Sequence, residues 1–230
     1  MVLMDALLLL LIDSRAPAGA HHHSGGVEPA IATGLVRDIE DVAAFCRTKL
    51  ATGGYVAAAF AAASCATALS AENAARWAEL DAEYDARMPA ESLRTSSRAL
   101  ARGLLRLLRA SRPGLDTTPA WNRVQAAVPH HPLVLGAAVA ACGGDPELAA
   151  KAAALASCTG PASAAVRLLG LDPLATHSLL ARLAADIDGV SLRAARAARD
   201  EPARLPADSA PALDLLADVH VTSEVRLFAS

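Results

Sequence analysis

Aromatic residues make up only 3% of this 230-residue sequence, and β-branched strand formers are also sparse, so substantial β-sheet is not expected. Ala and Leu, both strong helix formers, dominate a hydrophobic fraction of 53%. We therefore predict an all-α protein, a single-domain bundle of about nine or ten helices. Residues 1–200 would form this helical domain, and residues 201–230 a Pro-rich linker with a flexible C-terminal tail.

A strong excess of either charge is also missing. The chain has 21 basic and 24 acidic residues, which gives a formal net charge of -3. A general nucleic-acid binder would show a basic footprint, so we expect no nucleic-acid partner. The balance is typical of a protein that works through shaped surfaces.

Paired cysteine motifs are missing as well. Cys46, Cys65, Cys142 and Cys158 are scattered, and none forms a C-x-x-C pair. Neither a zinc ribbon nor a redox motif is therefore indicated. Because free cysteine is commonly buried, we predict that the four are small core residues in helices.

A signal-peptide start is not indicated. No Lys or Arg precedes the apolar run from Ala6 to Ile12, and Asp5 occupies the position where positive charge belongs. The run is also too short to span a bilayer. We interpret it as a core-facing first helix and expect a cytoplasmic protein with no membrane partner.

Glycine and proline mark the helix boundaries. We expect helix ends at Gly53-Gly54 and Asp188-Gly189, and a new helix after Gly160-Pro161. Asp145-Pro146 and Asp172-Pro173 are typical helix starts, with Asp as the cap and Pro at the first helical position. These signals leave helices of ordinary length along the whole chain.

Two helices differ from the rest in their side chains. The segment Tyr55 to Leu69 is almost entirely apolar and predicts a central or subunit-interface helix. The segment Glu91 to Ala110 carries one apolar face and one arginine stripe, formed by Arg94, Arg98, Arg102 and Arg106. The stripe is either a solvated face or a docking site for an acidic partner.

The stretch from Asp13 to Glu28 interrupts the helical pattern near the start of the chain. Asp and Ser side chains bond nearby backbone groups, Pro17 cannot continue a helix, and Gly19 permits unusual backbone angles. These properties predict a shaped loop, and such loops tend to carry function.

Histidines in this loop raise the question of metal binding, since imidazole is a good ligand for nickel and zinc. His21, His22 and His23 are adjacent, so they cannot all reach one ion from a suitable angle. We expect a structural role for His23 and keep transient nickel contact by His21 and His22 as a hypothesis.

No catalytic residue is assigned. Asp13, Ser14, His23 and Ser24 lie close in sequence, but the chain has no G-x-S-x-G nucleophile elbow. A phosphate-binding loop of the form G-x-x-x-x-G-K-[ST] is also missing. We therefore predict that the chain is not an enzyme.

The C-terminal tail ends with apolar Leu227 and Phe228 behind the basic Arg226. Burying a Phe side chain contributes about 1.5–3 kcal/mol, so these residues should be covered by something. Either a partner covers them or they fold back on their own domain, and both alternatives stay open.

Three blocks together resemble the urease accessory protein UreF family. The first contains Asp13, Ser14, Pro17, Gly19, His23, Ser24, Gly26 and Glu28. The second contains His131-Pro132, Gly136 and the run Ser163 to Arg167. The third contains His220, Arg226, Leu227, Phe228 and Ser230.

The resemblance implies a dimeric, non-enzymatic maturation factor. Members bind UreD, also called UreH, recruit the GTPase UreG, and assemble on apo-urease so that nickel reaches its active site. No stably bound cofactor is implied, and nickel would be handled by the assembled complex. The third block would contact the UreD partner, and the first would shape the adjoining region. Two alternatives remain: a direct nickel-binding metallochaperone, and a helical interaction module unrelated to urease.

Overall fold

A computed structural model describes residues 6–13, 16, 23–70, 74–112, 129–221 and 227–228. The helices, in chain order, are α1 (Ala6–Ile12), α2 (Val27–Ala32), α3 (Ile39–Lys49), a π-helical segment (Leu50–Gly54), α4 (Tyr55–Leu69), α5 (Ala74–Ala86), α6 (Glu91–Ser111), α7 (His131–Ala141), α8 (Pro146–Leu169), α9 (Pro173–Arg182), α10 (Ala184–Ala197), a 3-10 turn (Pro202–Arg204) and α11 (Pro211–Val221). These described ranges contain no strand and share one hydrophobic core. The prediction of an all-α, single-domain fold is confirmed.

Helix α4 lies at the centre of the bundle, with α7, α8 and α10 packed around it. Its residues from Ala58 to Cys65 are all fully buried, as expected of a helix that is apolar on every side. At the crossing with α7, a Cβ on Gly136 would lie 2.1 Å from the carbonyl oxygen of Ala61. Small residues therefore bring these two helices almost backbone to backbone, and the predicted central role of α4 is confirmed.

Aspartate caps fix the starts of three helices. The Asp38 carboxylate accepts hydrogen bonds from the first backbone N–H groups of α3. Asp145 does the same for α8, and Asp172 for α9. Each cap satisfies N–H groups that have no partner within the helix. The two Asp-Pro starts predicted from the sequence are therefore confirmed.

The expected boundaries at Gly53-Gly54 and Gly160-Pro161 do not separate helices. The Gly53-Gly54 pair lies in the π-helical segment that joins α3 to α4, where Thr52 (φ −115°, ψ −106°) produces a kink without ending the helix. The prediction of a new helix after Gly160-Pro161 is wrong, because α8 continues through Pro161 to Leu169. A proline removes one hydrogen bond. Pro161 is buried, and this packing offsets the loss.

The expected helix end at Asp188-Gly189 is also wrong. The break falls at Leu183, and α10 continues through Gly189. Leu183 and Ile187 are both buried, so core packing keeps this region helical. A glycine inside a helix costs about 1 kcal/mol relative to Ala, which such packing readily outweighs.

The proline-rich stretch expected to be an extended linker is bound by Arg87, directly after α5. The Arg87 guanidinium donates hydrogen bonds to the carbonyls of Ala203 (3.1 Å), Leu205 (3.1 Å) and Pro206 (2.9 Å). The same group lies 5.3 Å from the centre of the Phe60 ring. The chain then forms α11, which packs against α2 and α6.

Two helical runs, Ile39–Leu69 and Pro146–Leu169, are long and apolar enough to cross a bilayer by length and composition alone. Within the fold, 67% and 44% of their most apolar windows are buried. Core helices of soluble proteins meet the same criterion, so these runs are weak evidence for a membrane span.

All four cysteines are free and buried, which confirms the prediction that they are core residues. Cys46 lies on α3, Cys65 on α4 and Cys158 on α8, while Cys142 immediately follows α7.

Candidate functional site

The first turn of α2 holds a buried carboxylate that binds the tail. Glu28 is only 8% exposed. Its Oε1 atom accepts a hydrogen bond from the backbone N–H of Leu227 (2.7 Å), and its Oε2 atom accepts one from Phe228 (3.1 Å). Hydrogen bonds to an ionised acceptor are stronger than neutral ones. One side chain therefore joins segments that are 199 and 200 residues apart.

The loop before α2 is shaped so that Glu28 faces inward. Gly25 (φ 62°) and Gly26 (φ 89°) are both in the left-handed region, which glycine adopts without steric cost. The buried Ser24 hydroxyl accepts hydrogen bonds from the backbone N–H groups of Gly26 (3.3 Å) and Glu28 (3.4 Å). Both of these contacts are local, and the Ser24 hydroxyl serves as a structural acceptor.

This loop packs against two helices, α3 and α8. The Lys49 ammonium, at the end of α3, donates a hydrogen bond to the carbonyl of Gly25. A Cβ on Gly25 would lie 3.0 Å from the Pro161 side chain on α8. Burial lowers the pKa of Lys49. The sequence interpretation missed Lys49. The available signal was a basic residue in the last turn of α3.

The two tail residues differ in exposure. Phe228 is 8% exposed, and its ring centre lies 6.0 Å from the Arg167 guanidinium on α8. Leu227 is 73% exposed. Of the two alternatives for the tail, folding back on its own domain describes Phe228, while Leu227 remains on the surface.

We call this region the loop–tail junction; it comprises Ser24, Gly25, Glu28, Lys49, Pro161, Arg167, Leu227 and Phe228. It brings together one residue or more from the first, second and third sequence blocks. Chemically, it can fix backbone segments through charged side chains and present an apolar side chain to a partner. The physical link between the blocks is invisible in the sequence, because it depends on how α2 and α8 pack.

Helix α11 borders the junction with two acidic residues. Burial raises the pKa of Asp214, and the neighbouring Asp218 raises it further, against the opposing effect of Lys49. The Asp218 carboxylate accepts a hydrogen bond from the Ser92 hydroxyl (2.6 Å), which ties α11 to α6. The tail helix is therefore fastened to the bundle by polar contacts.

Several predicted site residues lie outside the described ranges: Ser14, Pro17, Gly19, His21, His22, Arg226 and Ser230. Asp13, directly after α1, is partly buried. His220 lies in the last turn of α11, and its side chain is among those not described. The suggested nickel contacts of His21 and His22 stay predictions.

His23 lies close enough to His131 for the two imidazoles to influence each other. Burial lowers the pKa of His131 to about 4, and His23 contributes to this lowering. The backbone N–H of His131 donates to the Ser97 hydroxyl (3.1 Å). Within the part of the chain that the structure describes, no group of three or more His, Cys, Asp or Glu side chains is arranged to hold a metal ion.

A second polar cluster, which the sequence interpretation missed, joins α5, α6 and the start of α7. Arg98 contacts Asp81 (3.1 Å) and Asp85 (2.9 Å). Asp81 accepts the backbone N–H of His130 (2.9 Å), and Asp85 lies 3.0 Å from His130 Nε2. The spacing of Asp81 and Asp85, one helical turn apart, was the available signal.

Burial and the neighbouring carboxylates act in opposite directions on the pKa of His130. Burial lowers the pKa of His130 and outweighs its hydrogen bond to Asp85. Burial opposes ionisation of Asp85, but the hydrogen bonds from His130 and Arg98 prevail and lower its pKa. His130 is fully buried, and its Nδ1 atom has no hydrogen-bond partner among the described residues.

The four arginines of the α6 stripe fall into two pairs, one in ion pairs with α5 and one exposed. Arg94 and Arg98 form ion pairs with aspartates of α5. Arg102 and Arg106 are exposed on the same helix. The first half of the stripe therefore stabilises the fold, and only the second half fits the solvated or docking face considered from the sequence.

Comparison with known proteins gives one family match over the bundle and several matches over nearly the whole chain. A family model described as UreF matches residues 36–184, which is most of the helical bundle. A urease accessory protein UreF of Mycobacterium sp. (strain JLS) is 44% identical over 223 residues, covering 97% of each chain. Proteins of the same name from Mycobacterium marinum and Mycobacterium tuberculosis are 39% and 37% identical over 225 residues, covering 98% of each chain.

Proposed function

Because this chain belongs to the UreF family of urease accessory proteins, we propose that it is a scaffold that works with UreD (UreH) to recruit the GTPase UreG to apo-urease for nickel insertion. Membership makes it a non-catalytic maturation factor and removes the alternative of a helical module unrelated to urease. The recruitment step, its partners and their order are the proposal.

The loop–tail junction is the observation that carries the proposal. Leu227 is 73% exposed, yet the backbone beside it is fixed by Glu28 and the next side chain is buried. An apolar side chain held in a defined position on the surface is suited to a partner's pocket, since its ordering cost has already been met by the fold. We propose that Leu227, together with Arg226, Phe228, Ser230 and His220, forms the contact with UreD.

Nickel is cargo in this proposal. In line with the family, we propose that the assembled complex handles nickel and that this chain binds no cofactor stably. Tight, stoichiometric Ni(II) binding by the isolated chain would contradict this and favour a direct nickel metallochaperone. We further propose a homodimer acting in the cytoplasm, which light scattering of the purified chain and cell fractionation would test.

The UreD contact can be tested with two exposed leucines. Leu227 and Leu174 are both 73% exposed, but Leu174 lies in the first turn of α9 and is not one of the junction residues. In co-expression with UreD and UreG, Leu227→Asp should reduce capture of UreD at least tenfold, because a charge would be forced into an apolar contact. The control Leu174→Asp should leave capture unchanged.

Deletion of residues 226–230 should reproduce the loss of capture. Undiminished complex formation by both altered chains would contradict the assignment of the tail. Assembly of UreD with UreG on apo-urease in the absence of this chain would contradict the proposed recruitment itself.

A further inference from the structure

Two cysteines face each other inside the bundle although 112 residues separate them. The Cys46 sulfur on α3 lies 3.7 Å from the carbonyl oxygen of Cys158, and the Cys158 sulfur on α8 lies 3.9 Å from the carbonyl oxygen of Cys46. Each side chain thus reaches across to the other residue's backbone, so both thiols lie at the same contact between α3 and α8. Both residues are fully buried.

The pair lies on α3 and α8 next to the residues that contact the N-terminal loop. Residues three positions apart share one face of a helix. Cys46 precedes Lys49 by this interval on α3, and Cys158 precedes Pro161 by the same interval on α8. Lys49 and Pro161 are the two side chains that hold Gly25. A bond between the cysteines would therefore join the two helices that support the loop.

The two thiols are not equivalent. Interaction with the Cys46 side chain lowers the pKa of Cys158 despite its burial, and the Ser157 hydroxyl, whose oxygen lies 3.9 Å from the Cys158 sulfur, acts in the same direction. The interaction with Cys158, together with burial, raises the pKa of Cys46. Cys158 is therefore the thiol that ionises first, and the thiolate is the reactive form.

We propose that Cys46 and Cys158 form an oxidisable dithiol, a modification site at which a peroxide produces a reversible disulfide between α3 and α8. The Cys158 thiolate attacks hydrogen peroxide, an S–O bond forms, the O–O bond breaks, and hydroxide leaves with the electron pair. The Cys46 sulfur then attacks the resulting sulfenic acid. The S–O bond breaks as the S–S bond forms, and the hydroxyl leaves with the Cys46 proton as water.

The balance of this reaction is complete. The two sulfurs together lose two electrons, and one peroxide molecule is reduced to two waters once the displaced hydroxide takes up the proton lost by Cys158. Because both thiols are buried, the reaction proceeds through local opening of the bundle and is slower than oxidation of an exposed thiol.

Peptide mapping of the full chain tests the proposal. The reduced, folded protein is treated with hydrogen peroxide, its remaining thiols are blocked with N-ethylmaleimide in denaturant, and the digest is analysed by mass spectrometry without reduction. We expect a peptide pair linked through Cys46 and Cys158 that dithiothreitol separates. Cys65, which is buried but whose sulfur contacts the Gly144 carbonyl, should be recovered as the blocked thiol.

Stability provides a second measurement. The cross-link closes a long loop and constrains the unfolded chain, so peroxide should raise the Tm by several degrees, and dithiothreitol should reverse the shift. The Cys65→Ser variant should keep this shift. Cys46→Ser should lose it and accumulate a Cys158 sulfenic acid that dimedone traps.

The wild-type map decides the question even where a variant fails to fold. Recovery of Cys46 and Cys158 as blocked thiols after peroxide, or conversion of either one only to sulfinic or sulfonic acid, would overturn the proposal. A disulfide that links two chains, or one that involves Cys65 as often as Cys46, would overturn it equally.

Discussion

At the crossing of α4 and α7, a glycine brings two backbones together, whereas at the loop–tail junction one carboxylate joins segments 199 residues apart. The crossing is apolar and fully buried, and its shape admits no added atom at Gly136. The junction is polar, and its tail segment rests on two hydrogen bonds and one buried ring. One region depends on steric fit and the other on a few directed contacts.

This difference indicates which region can act in binding. Close-packed helices separate only when the domain unfolds, because their contacts are many and cooperative. A segment held by a few contacts can rearrange without disturbing the core. On the proposed function, a partner would therefore reach the junction at low energetic cost, while the crossing supplies the rigid base on which the junction is built.

The largest effect is expected at the crossing. Gly136→Ala places a Cβ 2.1 Å from the Ala61 carbonyl oxygen and 2.9 Å from the Cys65 nitrogen, so α4 and α7 must move apart. We expect a loss of about 3 kcal/mol or more in the free energy of unfolding, the upper range for overpacked cores. Urea denaturation followed by circular dichroism measures it.

The matched control is Gly189→Ala, inside α10. Apart from its chain neighbours and its own helix backbone, no atom lies within 4 Å of a Cβ there, so the substitution should be neutral or stabilise the helix by about 1 kcal/mol. If the two variants had similar free energies of unfolding, α4 and α7 would not be as tightly packed at Gly136 as the 2.1 Å approach implies.

An intermediate effect is expected from His131, which lies between the two regions at the start of α7. Its pKa is lowered to about 4, from the usual value near 6.5, by burial and by His23. The unfolded chain therefore binds more protons than the folded chain between these values, and stability falls as the pH falls through this window. One proton accounts for at most about 1.4 kcal/mol per pH unit.

The pH dependence of unfolding checks this assignment. His131→Gln should flatten the slope of stability against pH between about 6.5 and 4, while the control His177→Gln, on the exposed face of α9, should preserve it. Part of the slope should remain in His131→Gln, because the lowered pKa of His130 acts in the same direction. A slope unaltered by His131→Gln would remove His131 from this account.

The smallest effect on stability is expected at the junction. Glu28→Gln keeps one acceptor oxygen but replaces the other with an NH2 donor, so only one of the Leu227 and Phe228 N–H groups keeps its acceptor and the charge is lost. This should lower the free energy of unfolding by about 1 kcal/mol. Glu147→Gln, an exposed residue in the first turn of α8, controls for the loss of a negative charge at a helix start. Its effect should be smaller.

Carboxypeptidase digestion separates the junction from the core. Glu28→Gln should lose its C-terminal residues faster than wild type, while Glu147→Gln should not. Equal digestion of the two variants would mean that Glu28 does not hold the tail.

Features that depend on neighbouring residues were predictable from the sequence. The caps at Asp145 and Asp172 act on N–H groups two or three residues away, so their effect can be read locally. The burial of α4 followed from an apolar surface on every side. The prediction at Pro161 was wrong because the sequence shows that a proline removes a helical hydrogen bond, but it does not show that Pro161 packs in the core.

The sequence by itself determined the helical class, most helix starts, the central helix and the three blocks that resemble the UreF family. Tertiary structure alone decided that Glu28 binds the tail, that Arg98 is shared by two aspartates, and that Cys46 meets Cys158. Helix formation is governed by side chains within about four residues of one another. Contacts between distant positions are set by which helix faces pack together, and no local pattern specifies that choice.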